Sequence, residues 1–181
     1  AIRAGDIRPH ETIRRNLINT AKELWRDAGN IKEPTLEELK NLPSWEEIKE
    51  HHDKLRIQGG WTNPDTGMKP MHEGWTKLNP VVKVLIMRLQ KAAKAEGIIS
   101  GHLILNSGFR NQQYNTKVGG AKQSQHLQGN AADLTWPGFS PRSEALLQFV
   151  SLARKEGFRG IGFYNNFIHV DIGPERSWDR R

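Results

Sequence analysis

Residues 124–133, Ser-Gln-His-Leu-Gln-Gly-Asn-Ala-Ala-Asp, constrain this chain more than any other stretch. His126 and Asp133 stand seven residues apart across a glycine, and a second run, Phe167-Ile-His-Val-Asp, presents His169 thirty-six residues beyond Asp133. Two imidazoles and one carboxylate are three of the ligands of a catalytic zinc, whose fourth position is left to water. A structural zinc site asks for four protein ligands, usually with thiolates among them, and this chain has no cysteine. The same absence means that no disulfide is used. A fold that employs all three residues must bring a loop, a strand and a distant strand to one point.

The local patterns allow this. Residues 131–135 read as a strand that carries Asp133, with His126 in the loop before it and Gly129 permitting a tight turn. Ala131 and Ala132 are small enough to leave room beside a metal. His169 lies in a second strand, where alternation puts His169 and Asp171 on one face and Ile168, Val170 and Ile172 on the other, in the core. The other five histidines, His10, His51, His52, His72 and His102, have no partner at ligand spacing.

Around these strands the chain divides by composition. Residues 10–28 carry Ile13, Leu17, Leu24 and Ala28 near helical spacing, with Gly29 as a stop. Two short helices follow, each opened by a capping box, Thr35 with Glu38 and Ser44 with Glu47. Residues 58–80 are rich in Gly, Pro, Asn and Asp and read as an irregular connection. This separates a helical N-terminal region, 1–75, from a motif-bearing domain, 76–181. Asn79 and Pro80 open a strong helix that runs to about residue 96. Residues 103–109 read as a strand, 111–118 as one or two helical turns, and Gly119-Gly120 as a loop into the histidine motif. Ser140-Pro141 opens another helix that ends at Gly157, and residues 160–164 and 167–172 form a closing hairpin around Asn165-Asn166. Strands and helices that do not alternate regularly point to an α+β fold with a small, mostly antiparallel sheet flanked by helices.

Composition sets outer limits. The 181 residues fit one domain, or one domain with a small helical appendage, and 36% apolar content with six tryptophans suffices for a core. The formal charge of +7 suits an anionic partner such as nucleic acid, a membrane surface or a bacterial wall. No motif of a known nucleic-acid module accompanies the charge, so no nucleic-acid partner is expected. The first thirty residues are amphipathic and charged, unlike a signal peptide, and no run approaches the roughly 18 apolar residues of a membrane span.

An ordered set of motifs carries a family resemblance. They are Ser107-Gly-Phe-Arg110 with Tyr114-Asn115 and Val118-Gly-Gly-Ala121, the Ser124–Asp133 pattern S-x-H-x-x-G-x-A-x-D, and His169-Val-Asp-Ile-Gly173 with Trp178. Together, over residues 76–178, they resemble the zinc D-alanyl-D-alanine metallopeptidases, which include wall-cleaving carboxypeptidases and phage endolysins. The resemblance implies one zinc per chain, held by His126, Asp133 and His169. It implies that Arg110 binds a substrate carbonyl or terminal carboxylate, as a planar bidentate donor can. Ser124 is expected to hydrogen-bond substrate or cap its loop, and Tyr114 and Trp178 to wall the cleft. One position departs from the family pattern: three residues before the last histidine, where relatives carry an acidic base, stands Asn166. Asp171 is the nearest acidic replacement, either as the base or as the residue that orients His169.

The expected function is therefore a zinc-dependent peptidoglycan peptidase cleaving a bond next to a D-amino acid, as endopeptidase or carboxypeptidase. A phage-type lysin or virion-associated wall enzyme is the expected setting, acting on the cell-wall side with peptidoglycan and other virion proteins as partners. The alternative is a virion or wall-binding protein that keeps the fold and has lost catalysis, a reading that Asn166 motivates.

Overall fold

The computed structural model describes residues 31–52 and 70–181, so the helix expected over 10–28 lies outside the described residues. The short helices α1 (Leu36–Lys40) and α2 (Trp45–His52) follow their capping signals. Thr35 Oγ1 accepts from the Glu38 N–H at 3.1 Å while the Thr35 N–H donates to the Glu38 carboxylate at 3.0 Å. Ser44 Oγ accepts from the Glu47 N–H at 3.3 Å.

The end of the stretch read as irregular is instead helical, α3 (Pro70–Thr76). Tertiary burial overrides its weak propensity, since Trp75 and Glu73 are each 2% exposed. The Trp75 indole N–H donates to the Pro43 carbonyl at 2.9 Å, which ties α3 to the turn before α2. Helix α4 (Pro80–Ala95) begins where the sequence places it, with Asn79 accepting from the Val81 N–H at 3.0 Å and Pro80 in the first turn.

Five strands form one sheet in the order β1-β2-β4-β3-β5: β1 (Ile104–Ser107), β2 (Ala131–Thr135), β3 (Gly160–Phe163), β4 (Ile168–Asp171) and β5 (Arg176–Asp179). All neighbours are antiparallel except β3 and β5. The fold is α+β, as its unrepeated mixture of elements predicts. Between β1 and β2 lie α5 (Gln112–Lys117), capped by Asn111, and a 3-10 turn at Gln125–Gln128. Helix α6 (Glu144–Glu156) fills the space between β2 and β3. It starts later than Ser140-Pro141, because Ser143 is the residue that caps it, accepting from the Leu146 N–H at 3.2 Å. The Ser143 N–H itself closes a turn on the Ser140 carbonyl at 3.3 Å.

Strand β5 has no counterpart in the sequence reading. Its Arg-Ser-Trp-Asp sequence lacks an apolar run, and it exists because an edge of β3 is available to pair with it. Strand alternation splits the sheet into two faces. One carries Ala132, Leu134, Ile161, Ile168 and Val170, packed with Val82, Leu85 and Leu89 of α4 and Leu146 and Phe149 of α6 in a continuous core. Ile31, Ile48 and Trp75 join that same core. The other face carries Asp133, His169 and Asp171, and the candidate site lies there.

Candidate metal centre

His126 is placed by backbone before it is placed by charge. Ser124 Oγ caps the 3-10 turn by accepting from the His126 N–H at 3.2 Å, and Gly129 closes it in the left-handed region at φ 71°. The His126 carbonyl accepts from the Arg110 N–H at 2.9 Å, which joins this turn to the end of β1. The residue is 2% exposed, and its Nδ1 lies 2.7 Å from the Gly108 carbonyl. A carbonyl only accepts, so Nδ1 carries the proton and the Nε2 lone pair is directed elsewhere, 3.3 Å from Asp133 Oδ1.

Asp133 and His169 face each other directly across β2 and β4. His169 Nδ1 is 2.9 Å from Asp133 Oδ1, and its Nε2 is 2.6 Å from Asp171 Oδ2. The second oxygen of Asp133 accepts from the Arg110 guanidinium at 3.0 Å. Arg110 is braced by Ser107 Oγ at 2.9 Å, and its Nη1 lies 3.4 Å from the Asn115 side-chain oxygen. Burial acts to raise the Asp133 carboxyl, yet the neighbouring imidazoles outweigh it and hold the group far below the usual carboxylate range. Burial acts to lower the His169 imidazole, but Asp133 and Asp171 on its two nitrogens prevail and raise it to about 9.

The residues fit a bound metal. One nitrogen of His126, one of His169 and one oxygen of Asp133 all lie within 4.8 Å of one another. A tetrahedral zinc with bonds of about 2.0–2.1 Å has ligand–ligand edges of about 3.4 Å. The His126–Asp133 separation of 3.3 Å nearly equals that edge, and the His169–Asp133 separation of 2.9 Å is about 0.5 Å shorter than it. Each histidine also has its other nitrogen engaged, by the Gly108 carbonyl and by Asp171, which fixes which lone pair faces the centre. The set offers no thiolate and only three ligands, which suits an ion that keeps an open position.

Asp171 is fully buried and committed on both oxygens. Oδ1 accepts from the Gly173 N–H at 2.9 Å and from Arg176 at 2.9 Å, and Oδ2 accepts from Arg176 at 2.8 Å. Burial acts to raise this carboxyl, while His169 and Arg176 lower it to about 2.

The centre opens into a cleft of about 570 Å³. Arg110, Ser124 and Trp178 line it with the three candidate ligands. Tyr114 and Asp171 do not, and neither does Asn166 nor Glu175, both of which are exposed. Asp133 is the one carboxylate among the described residues that line the cleft. Cleft residues not expected from the sequence include Tyr164 and Phe167, whose rings stack at 4.5 Å, and Arg176. The signal for Arg176 was its place two residues before Trp178 in the closing motif.

A fold of this kind with a buried His-Asp-His centre at the floor of a cleft defines a metallohydrolase-like site. The peptidase M15 family model matches residues 64–171, and the chain belongs to that family. It is 34% identical over 100 residues to the zinc D-Ala-D-Ala carboxypeptidase of Streptomyces albus G, covering 52% of this chain and 36% of that protein. It is 33% identical over 81 residues to the peptidoglycan L,D-endopeptidase MepK of Escherichia coli K12, covering 41% of this chain and 42% of that protein. A probable peptidoglycan L,D-endopeptidase MepK of Haemophilus influenzae matches at 33% over 89 residues, 45% of each chain. The chain thus spans less than half the length of these curated relatives.

Proposed function

We propose that this chain is a zinc-dependent peptidoglycan peptidase that hydrolyses a bond beside a D-amino acid. The observation that carries the reading is the convergence of His126, Asp133 and His169 on one point at the floor of an open cleft. Family membership and the names of the relatives support the substrate class.

His126, through Nε2, Asp133, through Oδ1, and His169, through Nδ1, would hold the ion. When bound, zinc supplies a polarising charge and lowers the pKa of its water to about 7. Arg110 lies beside this point and presents its guanidinium to the cleft, where it steadies the carbonyl oxygen as negative charge develops on it. Ser124 keeps the His126 turn in place, and Trp178 forms a wall against the His169 ring at 4.9 Å. Of the two roles open to Asp171, we assign orientation of His169, because its carboxylate meets the ring nitrogen that faces away from Asp133.

Within this class we favour an internal bond over a chain terminus. The net charge of +7 suits attack on an anionic wall, as by a phage-type lysin. A second reading, a wall-binding protein without turnover, is favoured by one observation: no carboxylate other than Asp133 lines the cleft among the described residues.

Elemental analysis combined with mass spectrometry of digested sacculi tests both. About one zinc per chain and the conversion of cross-linked dimers to monomers are expected. Release of single D-Ala units alone would reassign the enzyme as a carboxypeptidase, and bound zinc without any turnover would establish the second reading. Full zinc occupancy in a His126→Ala, His169→Ala double variant would refute the site.

A further inference from the structure

We propose that Arg176 is a positioning residue of the metal centre, clamping Asp171 so that His169 keeps its Nδ1 aimed at the ion, and that Gly160 is the gap through which the clamp closes. The proposal rests on the metal-centre reading above and adds to it a contact, Arg176 with Asp171 across Gly160, that the motifs do not spell out.

Arg176 sits on β5 and Asp171 on β4, with β3 between them, and both pair in register with Gly160. An arginine reaching across a whole strand needs that strand to present no side chain there. A Cβ on Gly160 would lie 2.2 Å from Asp171 Oδ1 and 2.3 Å from Arg176 Nη1, closer than any real contact. The glycine is therefore required by the ion pair itself.

Across this gap the guanidinium makes a two-pronged contact, Nη1 to Oδ1 at 2.9 Å and Nη2 to Oδ2 at 2.8 Å. Such a fork fixes the carboxylate plane as well as its position. Oδ2 is the same oxygen that meets His169 Nε2 at 2.6 Å, so the plane that Arg176 sets is the plane that orients the imidazole. Arg176 is itself held, with Nη1 also donating to the Pro174 carbonyl at 2.9 Å and its guanidinium carbon 5.0 Å from the centre of the Trp178 ring. Its side chain remains 38% exposed, at the cleft wall. Without it, a carboxylate with no exposed surface would keep, among the described residues, the Gly173 N–H and His169 as partners. A buried charge stripped of its counter-charge does not hold its place well.

The consequence is a chain of orientation running from β5 through Asp171 to His169. It explains why a polar edge strand is part of the domain, since β5 carries the clamp and the Trp178 wall together.

The test measures zinc affinity by competition with a chromophoric chelator, and the visible spectrum of the cobalt-substituted protein, in Arg176→Met, Arg176→Lys and Gly160→Ala. Arg176→Met should weaken zinc binding by roughly 10–100-fold, the range for lost partners of metal-bound histidines. Arg176→Lys keeps the charge without the fork and should fall between Met and the parent. Gly160→Ala leaves every charged group in place and should weaken binding in the same direction by forcing the pair apart. The cobalt bands, which report ligand geometry, should shift in all three. Thermal unfolding of the metal-free forms establishes that each variant is folded; if Arg176→Met is not, Arg176→Lys and Gly160→Ala decide the question. Zinc affinity within twofold of the parent and unchanged cobalt bands in the folded variants would overturn the proposal. A parent chain that binds zinc but does not cleave sacculi would defeat the peptidase reading and leave the clamp standing.

Discussion

Asp171→Asn separates two chemical roles that one carboxylate can play. The substitution keeps the size of the side chain and removes its charge. Asparagine has one oxygen to offer where Asp171 uses two, for Arg176, for the Gly173 N–H and for His169 Nε2. Its NH2 group cannot accept from Arg176, so one prong of the fork becomes a contact between donors. The Nε2–H of His169 then loses a charged acceptor or shares a neutral one. Loss of such a partner costs about 10–100-fold in metal affinity, which is about 1.4–2.8 kcal/mol. Turnover measured with zinc in excess of the weakened Kd should then remain within about tenfold of the parent. A general base gives the opposite pattern, about 10²–10⁴ in turnover with zinc retained. The assay pairs chelator competition with fragment release from sacculi across a range of free zinc. Unchanged zinc affinity with turnover lowered a hundredfold at every zinc concentration would refute the orienting role and restore Asp171 as the proton acceptor.

Three further outcomes are expected. Lysis of intact sacculi should fall as salt rises from 0.01 to about 0.1 M, because exposed charges are screened beyond about 10 Å at the higher strength; a salt-independent rate would remove the net charge of +7 from the account. Glu38, lowered to about 2 chiefly by its hydrogen bond to Arg88, should support folding above its ordinary value near 4.5 and lose that contribution as pH falls toward 2. Glu38→Gln should therefore cost about 1 kcal/mol at neutral pH, discounted for its partial exposure, and show a smaller loss of stability on acidification in chemical denaturation. Phe149→Ala, which empties a fully buried site against Trp136 at a ring distance of 4.5 Å, should cost about 3–5 kcal/mol by the same measurement.

Helix α4 shows what local sequence suffices for. Its cap, first-turn proline and apolar stripe are all within one segment, and the helix starts at the residue they indicate. The strand that carries Asp133 and the alternation that puts His169 and Asp171 on one face are also local facts, because strand geometry forces them. The His126–Asp133–His169 group was likewise legible as residue types in order, and the structure brings the three together.

Elsewhere the deciding forces act between segments distant in the chain. Helix α3 forms in a stretch with poor propensity because Trp75 is drawn into the core. Strand β5 forms because β3 has an open edge, and the partnership of Arg176 with Asp171 depends on a glycine sixteen residues before the arginine. The sequence by itself determined which residue types lie near which turns and on which strand faces, since caps, periodicity and alternation are short-range physics. Only the tertiary structure decided which nitrogen of each histidine faces Asp133, because that choice belongs to the Gly108 carbonyl, eighteen residues from His126, and to Asp171 as the Arg176 fork from β5 holds it.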